Sequence, residues 1–201
     1  MKRVMLLAIA AAGCGQEVKP TTGGDRTTSS DWQPLEIGWR WTYDVEGGGT
    51  CRRAVTGRES VGRFDCRVIE ETMGDARARW WLRSDRDGLK LYRFAEGDAR
   101  FDLEDPAIWF KFPAQRGSRW EYEQTHGTVE LQCFAVYEAD EVVRVPAGEF
   151  TCARVRTFAF CERTQVFEKA DWYAKGIGLV RQTIKYYDGR AAALNLKAMG
   201  R

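Results

Sequence analysis

The sequence is poor in the residues that metal binding and acid–base catalysis most often need. Among its 201 residues there is one histidine, His126, and the six cysteines include no C-x2-C pair. Zinc sites use several cysteines and histidines at short spacings, so the sequence predicts no metal and no cofactor. His126 stands in Glu-Gln-Thr-His-Gly-Thr, which is typical of a hairpin tip and not of a nucleophile with its base. The chain is therefore not expected to be an enzyme.

An excess of charge of one sign, long apolar runs and helical periodicity are also missing. The 31 lysines and arginines nearly balance the 29 acidic residues, which gives no electrostatic reason to expect a nucleic-acid partner. The apolar run at residues 4–10 is far shorter than the ~20 residues of a membrane-spanning helix. No later stretch keeps a helical period, and residues 102–108 could form at most one helical turn.

The N-terminus has the pattern of an export signal. Lys2 and Arg3 precede the apolar run, and the small residues 11–13 lead directly to Cys14. Residues 11–14 resemble the lipobox of bacterial lipoproteins. This resemblance implies a signal peptide over residues 1–13 and a Cys14 that carries acyl chains such as palmitate. An ordinary signal peptide and an N-terminal membrane anchor are the alternatives.

The segment that follows Cys14 determines the expected location of the protein. Residues 14–31 are small and polar without apolar periodicity, which predicts a flexible tether between the lipid and the folded domain. Gly15 follows the cysteine where an aspartate would retain the protein at the inner membrane. By resemblance to known sorting behaviour, this implies a lipid-anchored protein of the outer membrane that faces the periplasm.

Residues 32–201 are predicted to form one β domain made of two half-repeats, 34–105 and 113–198. The pattern P-x3-G-x2-W-x-Y occurs at residues 34–43 and again at residues 113–122. A second pattern, G-x-F-x-C, occurs at residues 62–66 and 148–152, and Trp81-Leu82 corresponds to Trp172-Tyr173. Gly38 and Gly117 of the first pattern are expected to adopt positive φ at the entry to a strand.

The local pattern within each half predicts β-strands. Large and polar residues alternate in runs such as Trp39-x-Trp41-x-Tyr43, and Asp188-Gly189 predicts a hairpin turn between two such runs. Each half contains about six runs. We therefore predict an all-β fold, an antiparallel meander of about twelve strands that is curled or closed into a barrel-like sheet.

The repeated aromatic residues are predicted to be structural. Trp41, Tyr43, Trp120, Tyr122 and Trp172 carry enough apolar area to fill the interior of such a sheet. The alternative is an aromatic-lined ligand cavity, and core packing is favoured because buried aromatic residues are common.

Five cysteines remain after Cys14, and in an oxidising compartment disulfides persist. We predict the disulfides Cys51–Cys66 and Cys133–Cys152, because each pair would join neighbouring strands of one half. Cys161 is left over and could replace either partner in the second half.

Three segments, at residues 112–122, 145–150 and 171–180, carry a family resemblance. They resemble an uncharacterised family of bacterial envelope lipoproteins with the pattern FPL-x2-G-x2-W-x-Y, V-PAG-x-F and WY-x2-G-x-G-x-V. Ala114 stands where the family usually has leucine, and one more residue precedes Gly117. Such proteins are similar to the curled-sheet carriers of lipoprotein trafficking, although this chain lacks the helices that line the mouth of those carriers.

The sequence thus predicts a membrane-anchored envelope lipoprotein that serves as a binding or scaffold module for an apolar ligand or a protein partner. The alternative is a hydrolase that acts at the membrane surface. In that case His126 would need a carboxylate and a hydroxyl beside it. The acidic residues that could take part, although a solvated face is their usual role, are Glu70, Glu71, Asp102, Glu104 and Asp105.

Overall fold

The computed structural model describes residues 32–112, 114–126 and 129–201, without the side chains of Thr125 and His126. The predicted signal peptide, tether and lipidation site Cys14 lie outside the described residues, as does Pro113, so the predictions made for them stay predictions. In the described part of the chain, no helix is long and apolar enough to cross a membrane.

Every regular element in the described ranges is a β-strand, as the alternation of large and polar residues predicts. Residues 102–108, the stretch considered for a helical turn, lie inside β6. The strands are β1 (Arg40–Val45), β2 (Thr50–Val61), β3 (Phe64–Met73), β4 (Ala76–Asp85), β5 (Gly88–Glu96), β6 (Ala99–Lys111), β7 (Arg119–His126), β8 (Val129–Val145), β9 (Gly148–Cys161), β10 (Thr164–Ala174), β11 (Gly178–Tyr186) and β12 (Ala191–Gly200).

The twelve strands form one antiparallel sheet in which strands consecutive in the chain are paired, except β6 and β7, which are its two edges. One long-range pairing, between β1 and β12, joins the two ends of the domain. The edge strands β6 and β7 face each other across a seam, where the Trp120 indole Nε1 donates a hydrogen bond to the Ile108 carbonyl oxygen at 2.8 Å. The sheet is therefore a nearly closed, barrel-like meander, and the predicted fold class is confirmed.

The first half of the sheet (β1–β6) and the second half (β7–β12) repeat the same irregularities. The pairing of β4 with β5 shifts directly after Trp81, and the pairing of β10 with β11 shifts directly after Trp172. Such bulges bend a strand and increase its local twist, which helps a long sheet to curl. The glycines before β1 and β7 also correspond, because Gly38 has φ +101° and Gly117 has φ +86°. The expectation of positive φ at both glycines is confirmed.

In a meander, successive turns alternate between the two ends of the barrel. We call the end at which β1 begins the entry end. Among the described residues it carries the turns at residues 62–63, 86–87, 114–118, 146–147 and 175–177. The segment Trp32–Leu35 enters the fold there, with Trp32 only 2% exposed. We call the opposite end the far end. Among the described residues it carries the turns at residues 46–49, 74–75, 97–98, 162–163 and 187–190.

The register of the strands corrects the predicted disulfides. Cys66 lies opposite Glu59, eight positions along β2 from Cys51, so the first pair is roughly 25 Å apart at ~3.3 Å per residue. The second pair is separated in the same way, because Cys152 lies opposite Glu141 on β8. Cysteines with Cα atoms more than about 7 Å apart cannot be bridged without moving the backbone. Cys51–Cys66 and Cys133–Cys152 are therefore wrong, and all five described cysteines are free thiols.

Candidate binding groove and the buried interior

The aromatic residues of the repeated motif lie where the sheet curls over itself. Trp41 and Tyr43 are each 1% exposed, and both reach past β12 to the start of β11. The Trp41 indole Nε1 donates to the Ile177 carbonyl oxygen at 2.6 Å, and the Tyr43 hydroxyl donates to the Leu179 carbonyl oxygen at 3.1 Å. These bonds satisfy polar atoms that burial would otherwise leave unpaired.

The remaining aromatic residues of the set differ in their surroundings. Trp120 is 5% exposed and lies at the seam, whereas Tyr122 is partly buried beside Cys133. Trp172 is 8% exposed and lies on the outward face of β10, where its indole Nε1 donates a hydrogen bond to the Glu141 carboxylate. Trp81 holds the corresponding place in the first half and donates to Glu59 at 2.8 Å.

A buried ion pair lies among the inward side chains of the first half. Arg53 and Glu71 face each other on β2 and β3 with side chains 6% exposed, and Arg53 Nε lies 2.6 Å from Glu71 Oε2. The guanidinium also lies over the rings of Tyr43 and Trp80, 5.2 and 5.3 Å from their centroids. The Cys51 thiol donates to the same carboxylate oxygen at 3.2 Å. Glu71, expected on a solvated face, is thus an interior residue.

A second buried ion pair lies in the other half of the sheet. Lys169 Nζ lies 2.8 Å from Asp171 Oδ2, with side chains 6% and 3% exposed, and Gln182 Nε2 donates to the other Asp171 oxygen at 2.7 Å. The sequence reasoning missed both pairs. The signal for Arg53 was present, because it alternates with Cys51 and Val55 on the apolar phase of β2.

Burial keeps the interior thiols in their protonated form. The pKa of Cys51 is raised to about 12, chiefly by desolvation, while Arg53 lowers it and the nearby Glu71 carboxylate raises it. Desolvation likewise raises the pKa of Cys133 to about 11 and that of Cys152 to about 12. Nucleophilic cysteines need a lowered pKa, so these thiols have the chemistry of core residues.

The other acidic candidates are spread over the surface. Glu70, Glu104 and Asp105 are exposed, and Asp102 forms an ion pair with Arg93. The hydrogen bond from Arg93 holds the pKa of Asp102 below its usual value. The hydrolase alternative depends on the His126 side chain, which lies outside the described part of the chain. Among the described residues, no group of three or more metal-ligating side chains could hold a metal ion.

A groove of about 670 Å³ crosses the outward face of β10, β11 and β12. Its floor is the row Ala170, Thr183 and Ala193, which lie opposite one another on the three strands. Three strands ~4.8 Å apart make such a floor roughly 10 Å across. The groove opens toward the far end, where Glu46 and Gly47 of the β1–β2 turn close one side.

Charged side chains of both signs form the walls of the groove. Arg154, Glu168 and Lys185 line it together with Glu46. The Arg154 side chain lies 3.1 Å from the Glu138 carboxylate on β8. The Glu168 carboxylate accepts a hydrogen bond from Arg156 on β9 at 2.9 Å. These two contacts fix the positions of the wall residues Arg154 and Glu168. The groove thus combines a small, apolar floor with fixed polar sides.

The corresponding surface of the first half holds a smaller pocket of about 310 Å³, in which Arg79 and Ala95 form part of the lining. Arg79 lies opposite Ala95 and Ala95 opposite Arg100, in the place that Ala170, Thr183 and Ala193 take in the second half. The guanidiniums of both arginines lie over the Trp81 ring, at 5.4 and 4.8 Å from its centroid.

No family model and no curated protein matches the sequence, so the motif resemblance stays a prediction. Two solved structures are similar to the chain. The first is of a Bacteroides fragilis protein described as exported and YmcC-like in fold, with 16% identity and a TM-score of 0.46 over 85% of this chain and 99% of that chain. The second is of a Parabacteroides distasonis protein described as a lipoprotein, with 14% identity and a TM-score of 0.44 over 83% and 97%.

Proposed function

We propose that this chain is a lipid-anchored lipoprotein of the bacterial envelope that serves as a binding module, with the groove over β10–β12 as its binding surface. The observation that carries the proposal is the groove itself, a concave site of about 670 Å³, compared with about 400 and 310 Å³ for two other pockets of the described structure. Ligand sites in proteins are of this size and combine an apolar floor with a few fixed polar groups.

The occupant that fits the groove best is an extended segment of a partner protein. Charged walls of both signs suit a peptide, which presents backbone dipoles and charged side chains together, better than they suit an apolar ligand. The inward face of the sheet gives an apolar ligand little support, since aromatic rings and the pairs Arg53–Glu71 and Lys169–Asp171 occupy it.

The groove is tested by a photo-crosslinking residue placed at its wall in the living cell. At Lys185, which is exposed and lines the groove, the probe is expected to give one discrete protein adduct. At Gln132, an exposed position on β8 outside the groove, the same probe is expected to give none.

A variant that closes the groove makes this test specific. Ala170→Arg with Ala193→Arg copies the arginine row of the first half and is expected to abolish the adduct at Lys185. The matched control, Ala76→Arg with Ala99→Arg, adds the same charge at two exposed alanines and is expected to leave the adduct intact. If the adduct persists in the closed variant while both proteins melt like the parent, the groove is not the binding surface.

The anchor is tested separately at Cys14. Each buried CH2 of an acyl chain adds about 0.8 kcal/mol to membrane binding, so the several chains of a lipoprotein hold it stably. Cys14→Ser is expected to leave the precursor unprocessed or to release the domain from membranes. A variant that is processed and sediments with membranes like the parent protein would show that the anchor lies elsewhere.

A further inference from the structure

We infer that the entry end of the barrel docks on an anionic lipid surface, the membrane in which the N-terminal anchor is embedded. This inference rests on the proposed lipid anchor at Cys14. It adds an orientation of the barrel and a binding surface at the opposite end of the fold from the groove opening.

The turns at the two ends of the barrel differ in charge. In the described turns of the entry end there are four exposed cations, Arg63, Arg86, Arg116 and Lys175, and one exposed acid, Asp87. Glu36 and Arg201 also lie at this end, but they form an ion pair with each other at 2.8 Å and add no net charge.

The far end has the opposite composition. Its turns carry two exposed cations against five exposed acids: Arg163 and Arg190, and Glu46, Asp75, Asp98, Glu162 and Asp188. Three net positive charges at one end and three net negative charges at the other make the barrel an electric dipole along its axis. The balanced total of 31 basic and 29 acidic residues conceals this asymmetry.

The chain enters the fold at the positively charged end, and this position favours the membrane as the surface that this end contacts. The predicted anchor and tether precede residue 32, and Trp32 is buried in the entry end. A flexible 18-residue tether of the kind predicted from the sequence would span roughly 24 Å, and an anchor at Cys14 would therefore keep this end near the bilayer. Ile37, beside the entry point, is 53% exposed and is available to the lipid interface.

Electrostatics then favours one orientation over the other. Bacterial membranes rich in anionic lipid attract nearby lysines and arginines, and each cation close to the surface raises the docked population about fivefold. The acids of the far end are repelled by the same surface. The effect falls off within a Debye length of ~8–10 Å, so it acts only when the end itself touches the bilayer.

The orientation is tested with the full-length lipidated protein in vesicles of phosphatidylcholine with 30% phosphatidylglycerol. A photo-crosslinking residue replaces Ile37 at the entry end or Tyr187, which is 70% exposed, at the far end. The Ile37 site is expected to give at least tenfold more lipid adduct than the Tyr187 site. In vesicles of phosphatidylcholine alone, or at 1 M salt, this ratio is expected to fall at least fivefold, because only the tether then favours the entry end.

Charge variants separate a local effect from a change in net charge. Arg63→Gln with Lys175→Gln is expected to lower the adduct ratio at least fivefold, toward its value in vesicles of phosphatidylcholine alone, because each lost cation removes a contribution of about fivefold. Arg77→Gln with Arg163→Gln removes the same charge at the far end and is expected to change it less than twofold. Equal responses of the two variants would overturn the inference.

The N-terminal peptide is analysed by mass spectrometry in the same samples. An acylated Cys14 with equal labelling at Ile37 and Tyr187 overturns the orientation alone and leaves the anchor standing. An unmodified Cys14 overturns the anchor and, with it, the inference that depends on it.

Discussion

The buried pair Arg53–Glu71 allows a sharp prediction about what stabilises the interior. We consider Arg53→Met and Glu71→Leu, separately and together, because these apolar side chains approximate the size of those they replace. Each single substitution removes one partner of an ion pair whose side chains are 6% exposed and 2.6 Å apart. The other charge then stays buried without its counter-ion, and such losses cost about 3–5 kcal/mol.

The double variant is expected to recover most of that loss. Replacing both members of a buried ion pair by apolar residues is often neutral or stabilising, since the desolvation of two charges is avoided. The protein itself supplies a precedent, because Ala135 and Thr157 lie opposite each other in the second half where Arg53 and Glu71 lie in the first. The same strand geometry therefore accommodates a neutral pair.

The measurement is equilibrium unfolding in urea, with the free energy of unfolding and the m-value compared across the four proteins. The expected result is a loss of about 3–5 kcal/mol in each single variant and a double variant within about 1 kcal/mol of the parent. Single losses below about 1 kcal/mol that simply add in the double variant would refute the reasoning, because they would mean that the two charges are solvated or uncoupled.

Further predictions concern the core, one glycine and the thiols. Trp41→Ala and Trp120→Ala should each cost about 3–5 kcal/mol in thermal unfolding, whereas near-parental melting of both would favour ligand-lining roles. Gly88→Ala should cost about 3 kcal/mol in urea unfolding, because its Cβ would lie 2.1 Å from the Phe110 carbonyl oxygen, and an unchanged midpoint would contradict this. In a brief iodoacetamide pulse read by mass spectrometry, the partly exposed Cys161 should react first. Cys133, whose pKa burial raises to about 11, should stay unmodified from pH 7 to 9, and equal labelling would show that the interior opens.

The fold class could be predicted because its determinants are local. Alternation of large and polar residues identifies strands, and the hairpin signal at Asp188-Gly189 falls in the turn between β11 and β12, where Gly189 has φ +87°. The pairing of β1 with β12 is different in kind. It joins residues about 150 positions apart, such as Tyr43 and Leu196, and no short-range pattern encodes that contact.

The disulfide prediction failed for a reason that the register makes clear. A hairpin brings two strands together, but which residues face each other depends on the turn and on bulges along the way. Cys51 lies opposite Met73 and Cys66 opposite Glu59, because the β2–β3 turn lies at residues 62–63, close to Cys66 and far from Cys51. Sequence spacing alone could not supply this separation.

Sequence analysis could not predict the candidate groove. A small residue forms the floor of a groove only where the side chains around it do not fill the space, and the sequence does not show which side chains surround it. Ala170 belongs to a strand that is buried on both faces over much of its length, so its alanine has no distinctive pattern. Ala170 contributes to the groove because it lies in one cross-strand row with Thr183 and Ala193. This row can be identified only when the register of all three strands is known.

The two halves of the sheet show how one repeat can serve both stability and binding. Each half keeps a tryptophan on the outward face of its fourth strand, hydrogen-bonded to a glutamate of its second strand. In the first half Arg79 and Arg100 cover that face, and Trp81 is fully buried beneath guanidiniums. In the second half alanines replace both arginines, which removes two long side chains and leaves a concave surface bounded by charges. The smaller side chains and the neighbouring β1–β2 turn together distinguish this groove from the pocket of about 310 Å³ in the first half, so side-chain replacements can enlarge a binding surface without a change of fold.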